Sequence, residues 1–463
     1  MMVKVSNLYV PSRLLLVAGI DIVVASMASF VLLRAGQWEA QNIQQGALLP
    51  LGVALSVGVY LFCFYLFGLY DLDVSYSVQQ TLIRSLKAVS TGILLLIPVW
   101  YWAHAGDRGV VDIDIYLLIF IVLLGCYRYG TGWLHNHIFP KQRVLLVGSG
   151  PGIQLLIGAL EERKSLDLRL GGIVSSKAKE FSSNISFAIC GTLADLSTIA
   201  GSYGVDRVAV CSELHSASLP AADLLDLRRS GVHIDDAVAL YERITGRIPV
   251  KLIRAAQMSF GKGFAPSHVW GVISRALSAL AAAVALILTV PIFLAVSLLI
   301  KMDSQGPVFY MQERVGLNGK VFLTIKFRSM RTDAETLTGP VWASDHDPRV
   351  TRVGRILRTL RLDELPQLWN VLRGDMNLIG PRPERPHFVS ALKQQIPYYD
   401  LRHCIPPGIT GWAQVSAGYG ATVEESEQKL EYDLFYVKNR SICLDAAIVV
   451  KTIRIMISGK GAR

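Results

Sequence analysis

The chain has 463 residues, of which 52% are apolar and 18% are charged, and its formal net charge is +10. This length suits about three domains, and the apolar content indicates a membrane protein rather than a wholly soluble one. In a membrane protein, a basic excess favours anionic lipids or phosphate-rich substrates over nucleic acid. The six cysteines are scattered and form no Cys-x-x-Cys pair, which argues against both a disulfide framework and a zinc site.

Four apolar runs near the start of the chain predict a four-helix transmembrane bundle over residues 1–135. The runs are Leu14–Leu33, Leu48–Phe67, Val89–Ala103 and Ile113–Gly125. The first two are long enough to span a bilayer, and the last two would extend into their aromatic flanks. Basic residues precede the first run, separate the second from the third and follow the fourth, so the positive-inside rule places both ends of the bundle in the cytoplasm. Asp21, inside the first run, is expected to snorkel or to pair within the bundle.

A Rossmann-like, doubly wound α/β domain is predicted over residues 141–250. A buried strand precedes the glycine turn Gly148–Gly152, which is half of a dinucleotide-binding fingerprint. The third glycine position is Ile153, however, and no acid follows the second strand, Leu168–Val174. Further strands are predicted at Val205–Val210 and Val232–Ile234. The pattern favours a regulatory or scaffolding domain over one that binds NAD.

The next apolar run, Ala276–Ile300, is long enough to cross a membrane and contains Pro291. Basic residues flank it on both sides, which indicates that both of its ends stay on the cytoplasmic face. Because proline removes a helical hydrogen bond, we predict a re-entrant helix over about residues 271–300, with its break at Pro291. The alternative is a simple span, which would place the following arginines outside, away from cytosolic nucleotides.

Past this run, two short strands are predicted around the glycine turn Gly316–Gly319. Lys326 and Arg328 then flank a phenylalanine. A solvated basic face would explain such a pair, but the many arginines further along favour a phosphate pocket. Asp345–Arg349 suits either a metal site or a turn capped by an Asx side chain.

Five arginines follow at three-residue steps, at Arg349, Arg352, Arg355, Arg358 and Arg361. They lead into Leu362–Asn370, where Asp363 and Glu364 stand at the start of an apolar helix. If Asp363 is the N-cap, Pro366 occupies the third helical position, where no hydrogen bond is lost. The positive end of the helix would then favour the ionised carboxylate that a nucleophile requires.

Glu364 points elsewhere on this turn and suits a hard cation held through oxygen. A plain helix cap beside a surface charge would explain two such acids in isolation, but the arginines and the Gly380–Pro383 turn favour an active site. Pro407–Trp412 presents an aromatic side chain suited to stacking or to the membrane interface. Leu444–Met456 predicts an amphipathic helix that either packs internally or lies on the bilayer surface.

From about Trp270 to its end, the chain resembles the bacterial sugar transferases that load sugar-1-phosphate onto polyprenyl phosphate, the monotopic phosphoglycosyl transferases. The motifs that carry the resemblance are Gln312–Gly316, Lys326–Met330, Asp347–Arg349, Leu362–Asn370, Gly380–Pro383 and Pro407–Trp412. The predicted bundle and α/β domain are similar to those of the large members, which initiate exopolysaccharide or O-antigen synthesis. The start of the chain, Leu8–Leu16, also resembles members linked to PEP-CTERM/exosortase loci.

The resemblance implies a ping-pong reaction. Asp363 attacks the sugar-proximal phosphate of a UDP-sugar, UMP leaves, and undecaprenyl phosphate then attacks the phosphosugar-aspartyl intermediate. Mg²⁺ is the implied cofactor, and Glu364 helps to hold it. Phosphate-binding and substrate-binding roles are expected for cations of these motifs, Arg314, Lys326, Arg328, Arg358 and Arg382.

The family also implies a multi-pass protein of the bacterial inner (cytoplasmic) membrane, with its catalytic domain, residues 265–463, on the cytoplasmic face. The expected partners are the membrane, a UDP-sugar donor and undecaprenyl phosphate, with no nucleic acid and with a homodimer as the candidate assembly. Two other functions fit parts of the sequence: a membrane scaffold or nucleotide sensor without catalysis, and an NAD-dependent sugar-nucleotide epimerase or dehydratase. A scaffold has no need of an Asp-Glu-Pro helix start among arginines, which favours the transferase.

Overall fold

The computed structural model describes residues 2–5, 8–35, 43–71, 78–103, 141–163, 168–175, 189–211, 220–253, 264, 268–334, 347–417 and 422–458. They fall into two compact units, the first made mostly of Tyr9–Ala237 and the second mostly of Val238–Arg463. The fourth predicted apolar run, Ile113–Gly125, lies outside the described residues.

Long apolar helices follow a two-stranded sheet at the start of the first unit. The elements are β1 (Met2–Val5), β2 (Leu8–Pro11), α1 (Ser12–Ala35), α2 (Ile43–Leu66) and α3 (Val78–Ala103). Within α3, Gln79–Ile97 is long and apolar enough to cross a membrane. Asp21 is fully buried and accepts a 2.7 Å hydrogen bond from the Tyr70 hydroxyl. The prediction that this acid pairs with a neighbouring polar group is therefore confirmed.

An α/β fold completes the first unit. Its elements are β3 (Gln142–Val147), α4 (Pro151–Glu162), β4 (Leu168–Val174), β5 (Ile189–Gly191), α5 (Leu196–Ser202), β6 (Arg207–Val210), α6 (Ala221–Arg229) and β7 (His233–Asp236). All five strands are parallel, in the order β5-β4-β3-β6-β7, so the predicted parallel sheet is confirmed. This is the strand order of a doubly wound sheet. The three-residue strand β5 was not predicted, because so short a run carries no periodic signal.

The second unit is mixed α and β. Its elements are α7 (Ala237–Thr245), α8 (His268–Asp303), β8 (Phe309–Val315), β9 (Val321–Phe327), α9 (Arg352–Thr359), α10 (Gln367–Arg373), β10 (Asn377–Ile379), α11 (Pro386–Gln395), β11 (Gly408–Thr410), α12 (Trp412–Ser416), α13 (Val423–Asn439) and α14 (Ile442–Ser458). β8 and β9 form the predicted antiparallel pair around the glycine turn, and β10 pairs with β11 in parallel. This second pairing brings the two glycine-proline motifs side by side.

α8 is a 36-residue helix that remains helical through Pro291, where the sequence favoured a break. The span Val269–Asp303 is long and apolar enough to cross a membrane. The Thr289 hydroxyl donates 2.7 Å to the carbonyl of Ala285, one turn earlier. Pro291 lacks the N–H that would donate to the carbonyl of Ile287, and the hydroxyl bond of Thr289 lies at the adjacent turn, where side-chain back-bonding of this kind often bends a helix.

Both halves of α8 pack against the second unit. In the first half, Ala282 joins an apolar cluster with Leu368 and Val371 of α10. In the second half, Val296 and Ile300 join another cluster with Phe327 of β9 and Leu357 of α9. One face of this helix is therefore covered by protein in each half, while many of its other side chains are exposed.

Arg275 fastens the first half of α8 to the end of α10. Its guanidinium donates to the carbonyls of Val371 and Leu372, the latter at 2.8 Å. The last carbonyls of a helix have no partner within the helix, and a basic side chain near that end is favoured by the helix dipole. The membrane-type helix and the short helix α10 are thus joined by a charged cap.

Trp412 lies in the main apolar core of the second unit rather than at a surface. Its indole nitrogen donates 2.9 Å to the Gly246 carbonyl, and the Phe435 ring stacks beside it at 6.0 Å. The Lys451 ammonium lies 4.1 Å from the ring centre. Of the two roles expected for this aromatic side chain, stacking is observed, on Phe435 inside the core, whereas a place at the membrane interface is wrong, because α13 and α14 cover this residue.

Candidate active site

Asp363 and Glu364 lie in a short 3₁₀ turn, Leu362–Glu364, and not at the N-cap of an α-helix. Arg361, which follows the end of α9 and precedes this turn, is in the left-handed conformation with φ of 56°, and α10 begins only after Pro366. The predicted N-cap role of Asp363 is therefore wrong. Pro366 lacks an N–H and stands just before the helix, so the chain makes one 3₁₀ turn before the α-helical hydrogen bonds begin.

Glu364 is held by two cations. Lys326 Nζ lies 3.0 Å from Glu364 Oε1, and Arg382 donates to both carboxylate oxygens, with Nη1 3.3 Å from Oε2. Burial opposes ionisation of Glu364, but Arg382 and Lys326 outweigh it and hold the pKa of this carboxyl well below its usual value. Glu364 is therefore a fixed negative charge at neutral pH.

The pKa of Asp363 is shifted in the opposite direction, above its usual value. Burial raises its pKa, and the neighbouring Glu364 charge raises it further, while Lys326, Arg358 and Arg382 lower it. The side chain is only 8% exposed. The expectation that its surroundings favour ionisation is wrong, because the helix begins beyond Pro366, and burial with the Glu364 charge outweighs the three cations. The neighbouring cations therefore stabilise the ionised form of Glu364 more than that of Asp363.

Arg358 approaches this turn from α9. Its Nε donates 3.0 Å to the Ser329 hydroxyl, and α9 itself starts at Thr351, whose side chain accepts from the Gly354 amide at 2.9 Å. A Cβ at Gly354 would lie 2.0 Å from the Ser329 carbonyl oxygen, so only glycine allows this approach. Burial lowers the pKa of Arg358, while Asp363 and Asp347 raise it. Asp363 therefore acts on Arg358 through its charge.

Asp347 and Arg349 form a local pair. Arg349 donates to Asp347 through Nε at 2.8 Å and through Nη2 at 2.6 Å, and its amide donates 3.0 Å to Asp347 Oδ1. The hydrogen bond from Arg349 lowers the pKa of Asp347. This geometry is that of an Asx-capped turn, the second of the two explanations that the sequence left open. Asp345 and His346 lie outside the described residues.

Two further predicted phosphate ligands donate to backbone carbonyls instead. Arg328 donates 2.7 Å to each of the carbonyls of Ser304 and Gln305, at the end of α8. Arg314 donates 3.0 Å to the carbonyl of Pro383, and burial lowers its pKa to about 10. Of the five predicted cations, Lys326, Arg358 and Arg382 are the ones that approach the two acids.

Asn370 is a site-supporting residue whose role the sequence did not reveal. It is fully buried on α10, its amide nitrogen donates 2.7 Å to the Leu323 carbonyl, and its amide oxygen accepts from the Ile325 amide at 3.0 Å. These bonds fix β9, and therefore Lys326, relative to α10. A buried amide must be hydrogen-bonded, so an asparagine on the apolar face of a predicted helix was the available signal.

Comparison with known proteins agrees with this geometry. The family model described as "Bacterial sugar transferase" matches residues 269–459. The chain is 46% identical over 222 residues to the UDP-N-acetylgalactosamine-undecaprenyl-phosphate N-acetylgalactosaminephosphotransferase of Aeromonas hydrophila, a match that covers 48% of this chain and 52% of that protein.

Two longer matches extend further along the chain. It is 30% identical over 393 residues to the UDP-glucose:undecaprenyl-phosphate glucose-1-phosphate transferase of Escherichia coli (strain K12), which covers 80% of this chain and 82% of that protein. It is 33% identical over 344 residues to the undecaprenyl-phosphate glucose phosphotransferase of Komagataeibacter xylinus, which covers 72% and 63%. The chain thus spans about half to four fifths of the length of these relatives. It belongs to the bacterial sugar transferase family and is an enzyme of the phosphotransferase class.

Proposed function

We propose that this protein transfers sugar-1-phosphate from a UDP-sugar to undecaprenyl phosphate and releases UMP, as the first membrane step of exopolysaccharide or O-antigen synthesis. The observation that carries this proposal is that Asp363 and Glu364 lie in one turn, with Lys326, Arg358 and Arg382 around them. Phosphoryl transfer needs a positioned nucleophile and fixed positive charge where the transferring group gains negative charge. The names of the relatives support the same donor and acceptor classes.

The proposed reaction has two displacement steps. A carboxylate oxygen of Asp363 attacks the sugar-proximal phosphorus, the bond to the bridging oxygen breaks, and UMP leaves with the electron pair. A phosphate oxygen of undecaprenyl phosphate then attacks the same phosphorus, and the Asp363 carboxylate leaves. Glu364 keeps its charge and holds Lys326 and Arg382 in place through both steps. The positive charge of Arg358 stabilises the ionised form of Asp363.

We also propose Mg²⁺ as the cofactor. The described residues contain no cluster of three or more metal-binding side chains. Mg²⁺ is commonly held by one or two carboxylates together with substrate phosphates, and the adjacent acids Asp363 and Glu364 fit that type of site. When bound there, Mg²⁺ would neutralise part of the negative charge of the diphosphate.

The topology of α8 is part of the proposal. Both halves of this helix pack against the second unit, and basic residues flank it on both sides, which supports a re-entrant helix that leaves the catalytic residues on the cytoplasmic face. The helices α1 to α3 support a multi-pass protein of the inner membrane. We propose no catalytic role for the Rossmann-like domain, and the homodimer stays a prediction.

The sugar is proposed at the level of hexose or N-acetylhexosamine. The Aeromonas relative is named for N-acetylgalactosamine and the Escherichia and Komagataeibacter relatives for glucose. The 46% identity to the first exceeds the 30% and 33% to the others, so UDP-N-acetylgalactosamine belongs in the test beside the UDP-glucose and UDP-galactose that the family suggests.

The experiment measures UMP release by purified full-length protein in nanodiscs. With each UDP-sugar alone, we expect a burst of at most one UMP per active site and a phosphosugar adduct on Asp363 in intact-protein mass spectrometry. With undecaprenyl phosphate added, we expect continuous UMP release and a lipid-linked product. If UMP appeared only when both substrates were present, and no adduct formed, the covalent route would be wrong although the overall transfer would stand.

A further inference from the structure

The turn that carries Arg382 contains two prolines, which donate no backbone hydrogen bond. Four consecutive carbonyls of this turn accept from donors on other segments. The pairs are Gly408 N–H to Pro381 at 2.9 Å, Arg402 Nη2 to Arg382 at 3.0 Å, Arg314 Nη1 to Pro383 at 3.0 Å and Val315 N–H to Glu384 at 2.9 Å. The backbone of this turn is therefore held in place by donors from three other segments.

Arg402 is the most deeply buried of the side chains that hold this turn. It is 6% exposed, and its Nη2 lies 2.7 Å from Oδ2 of Asp433, which is 1% exposed and belongs to α13. Its Nη1 donates 2.6 Å to the Tyr399 hydroxyl, in the same 3₁₀ helix. A buried guanidinium is tolerated only with a counter-charge and several hydrogen bonds, and Asp433 and Tyr399 supply these.

The rest of the network links Arg402 to the catalytic turn. Its Nη2 contacts both Asp433 and the backbone carbonyl of Arg382, whose own guanidinium reaches Glu364. The path from α13 to the acidic turn therefore has three contacts: the Asp433–Arg402 ion pair, the hydrogen bond from Arg402 to the Arg382 carbonyl, and the Arg382–Glu364 ion pair. Arg402 and Asp433 are buried, and Arg382 is the more exposed end of the path, at 35%.

We propose that Arg402, with Asp433 as its counter-ion, is a positioning residue for Arg382. It fixes the backbone from which the Arg382 guanidinium reaches Glu364 and, in the proposed function on which this inference rests, the phosphates of the donor. Arg402 acts through the backbone carbonyl of Arg382 rather than through a side-chain contact with Asp363 or Glu364. Its loss should therefore act through Arg382 and lower kcat, because a misplaced guanidinium stabilises the transition state less well.

A double-mutant cycle tests this in the full-length protein, with kcat and KM for the best donor measured for wild type, Arg402→Lys, Arg382→Lys and the double variant. Lysine keeps the charge at residue 402 but cannot contact Asp433, Tyr399 and the Arg382 carbonyl at once. We expect Arg402→Lys to lower kcat by roughly 10–100-fold with KM within about threefold of wild type, a range typical of supporting residues. The double variant should be no more than about threefold worse than Arg382→Lys, because residues that act as a unit are not additive.

Independent, multiplicative losses in the cycle would overturn the proposal, and so would a wild-type kcat for Arg402→Lys. If Arg402→Lys fails to fold, Tyr399→Phe replaces it, since it removes one hydrogen bond to the guanidinium and keeps the ring. The same non-additivity with Arg382→Lys is then expected on a smaller loss. The matched control is Lys438→Met, which breaks a 2.6 Å ion pair with Glu242 elsewhere in the second unit and should lower stability without changing kcat.

A second readout does not depend on turnover. The Gly408 amide donates to the Pro381 carbonyl, so its hydrogen exchange reports on the turn itself. We expect faster exchange at Gly408 in Arg402→Lys, or in Tyr399→Phe, than in Lys438→Met. Unchanged exchange would refute the positioning role even if no UDP-sugar proved to be a substrate, whereas absent turnover by wild type with faster exchange would refute only the proposed function.

Discussion

Asp363 and Glu364 are neighbours in the chain but differ in their electrostatic surroundings. Lys326 and Arg382 both donate to Glu364, so that acid is ionised and fixed, whereas burial and the Glu364 charge raise the pKa of Asp363. A carboxylate that is buried and incompletely neutralised is a stronger nucleophile than one held in ion pairs, because less of its charge is already stabilised. The geometry therefore separates an attacking acid from a structural one.

Asp363→Asn should abolish the transfer of sugar phosphate to lipid, by at least ~10³-fold, because the amide oxygen cannot form the intermediate. It should also stabilise the fold at neutral pH. Since the folded-state pKa of Asp363 is raised, ionisation above that pKa costs folding energy, and an amide avoids the cost. Thermal melting from pH 8 downward checks this: the gain should shrink as wild-type Asp363 becomes protonated. Equal melting at every pH would contradict the raised pKa.

The same raised pKa predicts the acid limb of activity. Only ionised Asp363 attacks, so kcat/KM should fall as pH drops through the pKa of the free enzyme, and that pKa should lie above the usual value for aspartate. Glu364→Gln removes the like charge and should move the limb to lower pH, although it also releases Lys326 and Arg382 and lowers the maximum rate. A limb that moves upward in this variant would show that Glu364 does not raise the pKa of Asp363.

Arg358, which is half-buried, and Arg328, which is buried, offer a comparison of two arginines near one site. Arg358 faces the acids, so Arg358→Lys should raise KM for the donor or lower kcat by roughly tenfold or more. Arg328 donates to the carbonyls of Ser304 and Gln305, so Arg328→Lys should lower the free energy of unfolding by about 1–3 kcal/mol and leave KM unchanged. Steady-state kinetics and thermal melting separate the two. The reverse pattern would reassign Arg328 to the substrate.

At the scale of elements, α9 depends on one glycine. The absence of a side chain at Gly354 lets the helix approach the Ser329 carbonyl and lets Arg358 reach the Ser329 hydroxyl. Thr351 caps the same helix and fixes its first turn. The packing contact at Gly354 therefore decides where Arg358 lies. The three-residue spacing of the arginines alone does not reveal this contact.

Gly354→Ala should displace α9 and lower kcat/KM at least ~10-fold, with a stability loss of about 1–3 kcal/mol, typical of overpacking against backbone. Gly271→Ala is the control, because nothing lies within 4 Å of a Cβ at that residue in α8. Alanine at residue 271 fits the helix and should leave activity unchanged. Kinetics and melting of both variants decide the matter, and wild-type activity in Gly354→Ala would show that the helix can move away at no cost.

Some of this site was open to prediction from the sequence. The motifs around Leu362–Asn370 and Gly380–Pro383 identified the acids and Arg382, because two adjacent acids stand beside a series of arginines and a glycine-proline turn. The local backbone was not predictable, since whether Pro366 lies inside or just before a helix depends on how Leu362 and Leu365 pack below it. For the same reason Trp412 looked available and is buried, and the counter-ion of Arg402, Asp433, comes from α13, over thirty residues away in sequence.

At the scale of the whole molecule, the topology of α8 decides where the site lies. Single cysteines at Val269 and Met302, 69% and 75% exposed, in a variant with the six native cysteines replaced by serine, should both react with an impermeant maleimide from the cytoplasmic side. A re-entrant helix places both ends on one face, whereas a simple span places them on opposite faces. Inverted vesicles and spheroplasts provide the two sides, and labelling from opposite sides would replace re-entrance by a span.

The contacts of α8 bear on how this enzyme can be handled. A recombinant fragment that starts after Asp303, made so that no detergent is needed, would expose the apolar surface around Leu368, Val371 and Met376. It would also leave the terminal carbonyls of α10 without Arg275. Such a fragment should aggregate rather than yield a water-soluble catalytic core. Inhibitor screens and crystallisation trials therefore need to start at or before His268 and to keep a lipid mimic throughout purification.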